Sequence, residues 1–170
     1  MKKKDPAGPA LPGGDPSSRP GEERDRRWMA LALAQAERAL EEDEVPVGCV
    51  LVRGERLLGK AHNQVERLRD PTAHAEILAL TQAAAALEDP RLVGCELYVT
   101  LEPCFMCAGA CVLARLERVV FAARDPKFGG CGSLLDLPAT PGLNHKLQVV
   151  QGPFEEEAAS LLKAFFRGRR

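Results

Sequence analysis

The sequence lacks any apolar run near the ~20 residues a membrane-spanning helix needs. It also lacks a secretory signal. Met1-Lys2-Lys3-Lys4 imitates the basic start of one, but Pro- and Gly-rich sequence follows instead of an apolar core. A charge excess of one sign is missing too. The 23 Lys and Arg against 24 Asp and Glu give a formal net charge of -1, so any RNA contact has to come from a local basic surface. There is no internal repeat. The first 24 residues have almost no large apolar side chain and hold five prolines and four glycines. Such a segment cannot offset its ordering entropy by burial, so 1–24 is expected to be a disordered tail and 25–170 one folded domain. The six cysteines sit in a long chain without a secretory signal, where a Cys-x-x-Cys pair reads as metal-binding rather than disulfide-forming. A cytoplasmic protein is expected.

What is present alternates between helix and strand signals. Trp28, Leu31, Ala32, Ala39 and Leu40 fall near helical spacing, predicting a helix from about Arg26 to Glu42. An apolar run from Val47 to Arg53 suits a buried strand, Gly54-Glu55 makes a turn, and Leu57 to Ala61 is the hairpin partner. Thr72 is the expected N-cap of a helix carrying Ile77, Leu80 and Ala84. Pro90 and Gly94 precede a strand from Glu96 to Thr100. Then come a helix from Pro103 to about Leu116, a strand from Arg118 to Ala122, a long loop over 125–145, and a short strand from Leu147 to Val150. A loop of that length inside a domain is usually functional or disordered. The last helix, Glu155 to Arg167, opens with acids and closes with bases, matching its dipole. This order predicts an α/β domain of three layers, α/β/α, with a mixed central sheet.

The chemistry is concentrated in His74-Ala75-Glu76 and Pro103-Cys104-Phe105-Met106-Cys107. One imidazole and two thiolates suit zinc, and three protein ligands leave a fourth position for water, as in catalytic sites. The alternative is a closed structural site with Cys111 as fourth ligand. Cys104, Cys107 and Cys111 lie at i, i+3 and i+7, so Cys111 falls a full turn away, too far along the axis for easy tetrahedral closure. In the open site zinc lowers the pKa of bound water toward ~7. Glu76 is the kind of group that moves such a water's protons. Both segments fall at expected helix starts, with His74 behind the Thr72 cap and the cysteines in the first turn after Pro103 at N1; positive helix ends favour thiolates. His74 and Glu76 are i, i+2, which point to different sides of a regular helix, so this first turn has to be oriented or distorted. His62 and His145 are expected outside the metal shell.

The order H-x-E…P-C-x-x-C is the signature of zinc-dependent base deaminases. Further stretches narrow the likeness: Val45-Pro46-Val47-Gly48, Asn63, Asp70-Pro71-Thr72-Ala73-His74-Ala75-Glu76-Ile77, Leu97 through Cys104, Cys107-Ala108-Gly109-Ala110, Ala123-Arg124-Asp125, Gly132-Ser133-Leu134, Asn144-His145 and Phe165 through Arg170. From about Trp28 to Arg170 the chain resembles the bacterial tRNA-specific adenosine deaminases. The resemblance implies a cytidine deaminase-like fold, a homodimer, one zinc per chain on His74, Cys104 and Cys107, and Glu76 as proton shuttle. The implied reaction converts the wobble adenosine of a tRNA anticodon stem-loop to inosine. Implied substrate contacts are Asn63, Val47, Ala75, Asp125, Lys127 and Asn144, with Arg167, Arg169 and Arg170 approaching RNA. The alternatives are a turn-capping Asn63, Asp125 as a plain turn residue before Pro126, and solvated charges at Lys127 and the arginines.

Two other functions remain open on the residues alone. The same machinery suits a free base, nucleoside or small metabolite, against which stand the 125–145 loop and the basic C-terminus. A non-catalytic RNA-binding or scaffolding subunit would have no use for Glu76.

Overall fold

A computed structural model describes residues 20–169. Its elements are α1 (Pro20–Glu41), β1 (Gly48–Arg53), β2 (Arg56–His62), α2 (Val65–Leu68), α3 (Ala75–Leu87), β3 (Glu96–Leu101), α4 (Phe105–Leu113), β4 (Arg118–Ala123), β5 (Gln148–Gln151) and α5 (Glu155–Arg167). The strands form one sheet in the order β2-β1-β3-β4-β5. β1 runs antiparallel to both β2 and β3, whereas β3, β4 and β5 are parallel. The sheet is therefore mixed, and α4 supplies the crossover that a parallel β3–β4 pair requires.

Strand residues alternate between two buried faces, and the alternation builds the three layers. Val50, Val52, Tyr98, Val120 and Ala122 pack with Trp28, Met29 and Ala32 of α1 and Ala158 of α5. Cys49, Leu51, Leu97, Val99, Val119 and Phe121 pack on the other side with Ala79, Leu80 and Ala83 of α3 and Ala108, Cys111 and Val112 of α4. Burial on both faces explains why β1, β3 and β4 read as continuous apolar runs. Helix α1 lies so close to β1 that a Cβ on Gly48 would meet the Ala32 carbonyl oxygen at 2.0 Å and the Ala36 nitrogen at 2.3 Å.

Helix α1 begins at Pro20, earlier than the Arg26 start that apolar spacing predicts. Polar bonds account for the difference. Arg118 donates to both carboxylate oxygens of Asp25 at 2.8 and 2.6 Å, and Tyr98 Oη donates to Asp25 Oδ1 at 2.8 Å. Arg24 reaches Glu96 at 2.8 Å. An amphipathic period cannot register such a charged anchor. Residues 20–24, expected in the tail, are thus helical, while 1–19 lie outside the described residues, as does Arg170. Among the described residues no helix is long and apolar enough to cross a membrane.

Candidate active site

The site forms where α3 and α4 begin, at the carboxyl end of β3. Thr72 is not the cap of α3. Its N–H and hydroxyl both donate to Asp70 Oδ1, at 2.8 and 2.7 Å, closing a tight turn before the helix. His74 takes the N-cap position with extended φ -71 and ψ 152, and its carbonyl accepts the Leu78 N–H at 3.1 Å. Pro103 likewise is not N1. Cys104 is the N-cap of α4, with φ -65 and ψ 169, and its carbonyl accepts the Ala108 N–H at 2.8 Å. These shifts resolve the awkward i, i+2 spacing. A non-helical His74 is free of the helical screw, so it and Glu76 reach one cavity.

His74, Cys104 and Cys107 offer donor atoms that all lie within 4.8 Å of one another, and among the described residues no other His, Cys, Asp and Glu group is so arranged. His74 Nδ1 stands 3.6 Å from the Sγ of Cys104 and 3.6 Å from that of Cys107. An ion bound by N at about 2.05 Å and S at about 2.3 Å in a tetrahedron spaces N and S by about 3.6 Å. The donor set therefore fits a tetrahedral metal with one vertex left over. Cys111 is wholly buried one turn below, outside this group, and burial pushes its thiol well above the ordinary range.

Electrostatics set the protonation of the three donors. Cys104 is drawn down to about 4, first by a hydrogen bond from Cys107, with burial opposing and His74 helping. Cys107 is raised because it keeps the shared proton and is buried. His74 is raised chiefly by its bond to Cys104. Two helix N-termini add positive potential that favours thiolate. Glu76 is 3% exposed, and burial lifts its carboxyl to about 7, in the range of a group that exchanges protons near neutrality.

Around this centre opens a cleft of about 1360 Å³, lined by His74, Glu76 and Cys104 at its floor. Val47 and Asn63 line it; Asn63 is buried, with its backbone N–H bonded to the Val47 carbonyl at 3.0 Å. Asp125 and Lys127 line the cleft as well. Asp125 Oδ1 accepts the N–H groups of Lys127 (3.0 Å) and Phe128 (3.2 Å), so its side chain also does a turn residue's work. Two expected contacts stand apart in the single chain. Ala75 is fully buried and absent from the lining, and Asn144 is exposed, away from the cleft, with its carbonyl accepting from Arg115 at 2.9 Å. Arg167 at the end of α5 and Arg169 just beyond it line the cleft, and Arg169 is tied to Asp43 at 2.6 Å. His62 bonds Glu42 and His145 bonds the Leu116 carbonyl, both outside the metal group.

Three structural residues were not legible in the sequence. Glu44, 1% exposed, accepts the N–H groups of Glu66 (3.2 Å) and Arg67 (2.8 Å), capping α2, and receives the Asn63 amide at 3.5 Å. Glu102, also 1% exposed, accepts from Asp125, Cys131 and Ser133. Burial raises the Glu102 carboxyl, but the Ser133 hydroxyl and these N–H groups outweigh it and hold it low. Phe128 is exposed and packs its ring on Phe105, centroids 6.5 Å apart. Adjacency to the Pro-Cys segment was the one available signal for Glu102.

The comparisons agree with this geometry. The profile of the MafB19-like deaminase family matches residues 23–170. The chain is 49% identical over 143 residues, 84% of its length and 94% of the relative's, to the tRNA-specific adenosine deaminase of Aquifex aeolicus (strain VF5). It is 48% identical to that of Bacillus subtilis (strain 168), over 86% of this chain and 91% of that one. A solved structure from a study of A-to-I editing by deaminases at the wobble position of transfer RNA superposes with a TM-score of 0.78 at 44% identity, covering 81% of this chain and 99% of that one. Guanine deaminase from Bacillus subtilis superposes less well, with a TM-score of 0.57 at 28% identity, over 85% of this chain and 92% of that one. The chain belongs to the tRNA-specific adenosine deaminases within the MafB19-like deaminase family.

Proposed function

We propose that this protein removes the exocyclic amine of adenosine hydrolytically, giving inosine, at the wobble position of a tRNA anticodon. One observation carries the reading: a buried carboxylate, Glu76, stands unligated beside a three-donor metal group at the floor of an open cleft. His74, Cys104 and Cys107 would hold one zinc ion per chain, which would supply the Lewis acidity that activates water near neutral pH. Glu76 does the proton work. Its carboxylate takes a proton from the attacking water and passes it to a ring nitrogen of the adenine as the C–O bond forms. It then moves the remaining hydroxyl proton to the exocyclic amine, which leaves as ammonia when the C–N bond breaks. Val47 and Asn63 line the cleft beside the α3 start, where Asn63 contacts the base edge. Phe128 offers an exposed ring to a base, and Lys127, Lys163 and Arg167 on the rim supply cations for phosphate oxygens. An anticodon loop suits such a cleft because its bases are unpaired and cost little to extrude.

A homodimer belongs to the same reading. Leu113 on α4 is 82% exposed, and Leu134, Leu135 and Leu143 are exposed on the 125–145 loop, whose Leu137 Cδ1 would lie 3.9 Å from a Cβ placed on Gly109 of α4. A second copy covering these side chains would remove them from water. The work is assigned to the cytoplasm, where tRNA is modified.

The test is a substrate panel. Metal-loaded protein is incubated with an anticodon stem-loop carrying adenosine at the wobble position, and separately with free adenosine, cytidine and guanine. Inosine in the RNA alone supports the reading. Turnover of guanine with unchanged RNA would assign the chain to free-base chemistry.

A further inference from the structure

Glu102 is a buried carboxylate with no cation paired to it among the described residues. Its charge is met by donors instead. Oε1 accepts the Cys131 N–H at 3.1 Å and the Ser133 N–H at 3.0 Å, while Oε2 accepts the Asp125 N–H at 3.1 Å and the Ser133 hydroxyl. Both oxygens are thus occupied, which leaves Glu102 no free lone pair for substrate although it borders the cleft. The donors come from both ends of one loop segment. That segment is laced to the metal-bearing turn as well: Gly130 N–H donates to the Pro103 carbonyl at 2.7 Å, and Cys104 and Gly129 form an antiparallel bridge. The fit is close. A Cβ on Gly129 would come within 2.6 Å of the Glu102 carboxyl carbon, and one on Gly130 within 2.7 Å of Phe105 Cα.

The consequence lies at the cleft wall. The Asp125 N–H is held by Glu102, and the Asp125 side chain in turn caps the turn carrying Lys127 and Phe128. We propose that Glu102 is a positioning residue that fixes the Asp125–Phe128 wall to the Pro103–Cys107 turn, so that the wall stands ready for the RNA strand and sets its affinity. A carboxylate surrounded by backbone N–H groups acts here as the hub of an anion nest built by the protein itself. A mobile wall would have to be ordered at each encounter, which weakens binding without touching the proton transfer at Glu76. The inference rests on the RNA reading given above for the identity of the ligand, and on hydrogen bonding alone for the hub.

Glu102→Gln tests it with little change of volume. The amide can keep its oxygen toward Cys131 and Ser133, but its NH₂ then faces the Asp125 N–H, releasing that end of the loop. Hydrogen exchange of residues 125–128, kcat and KM on an anticodon stem-loop, and zinc content are measured together. The expected result is faster exchange at 125–128, a KM raised about tenfold, as loss of one bond to a charged group would give, kcat within about threefold, and zinc unchanged. Ser133→Ala removes only the hydroxyl donor and should shift exchange and KM the same way by less, which keeps the question answerable if Glu102→Gln misfolds. Unchanged exchange and KM would overturn the proposal. So would lost zinc and kcat at constant KM, because Glu102 would then serve the metal turn alone. If wild-type protein leaves RNA unmodified, the RNA reading fails, while exchange at 125–128 still decides whether Glu102 holds the wall.

Discussion

At the scale of single residues, the site depends on where two helices start. His74 and Cys104 are extended N-cap residues whose carbonyls already belong to the helix, so their side chains leave the helical register and converge on Cys107. The three donors that the structure gathers into one group that could hold a metal were legible in the sequence, because imidazole and thiolates at these spacings suit one metal chemistry. The caps were misplaced because Thr72 and Pro103 are the favoured residue types at N-cap and N1, and only the Asp70–Thr72 turn and the extended backbone at Cys104 displace them. The three-ligand arrangement makes a sharp prediction for zinc content. Cys104→Ala should lose the metal, whereas Cys111→Ala should keep one zinc per chain. Elemental analysis of both purified variants decides it, and equal loss would point to a closed four-ligand site.

At the scale of elements, the strands and α5 follow from apolar runs and end charges; the start of α1 and the short α2 do not. Both are fixed by long-range polar bonds, α1 by Asp25, Arg118 and Glu96, and α2 by Glu44, and no local pattern encodes a partner tens of residues away. Asp25 allows a pH test of this anchor. Burial raises its carboxyl, but the bonds from Arg118 and Tyr98 prevail and hold it below its ordinary 3.8. A carboxylate whose folded pKa is depressed contributes stability that is complete above the unfolded value and fades as pH falls through the folded one. Asp25→Asn should therefore cost about 1.5–3 kcal/mol near neutral pH. The difference from wild type should close as pH falls below 3.8. Denaturant unfolding of both proteins across that range measures it, and a pH-independent difference would contradict the ion-pair anchor.

At the scale of the whole molecule, a net charge of -1 forces RNA recognition to be local. Lys127 and Lys163 face the cleft rim with Arg167 and Arg169, and Arg169 is shared with Asp43. Truncation after Phe166 should weaken anticodon stem-loop binding and reduce the slope of log affinity against log salt by about one or two, at about 0.7–0.9 per phosphate contact. Equal binding at every salt concentration would leave recognition to the 125–145 loop. Leu113→Asp should convert a dimer to a monomer in sedimentation with metal content preserved, and an unchanged dimer would place the interface elsewhere. The most direct measurement maps deaminated positions in a stem-loop RNA by mass spectrometry, comparing wild type with Glu76→Ala at matched zinc content. Wild type should convert the wobble adenosine alone, and the variant should be slower by about 10²–10⁴-fold or more, the size of a lost general acid–base group. Near-normal conversion by zinc-loaded Glu76→Ala, or no conversion by wild type, would contradict a deaminase that moves its protons through Glu76.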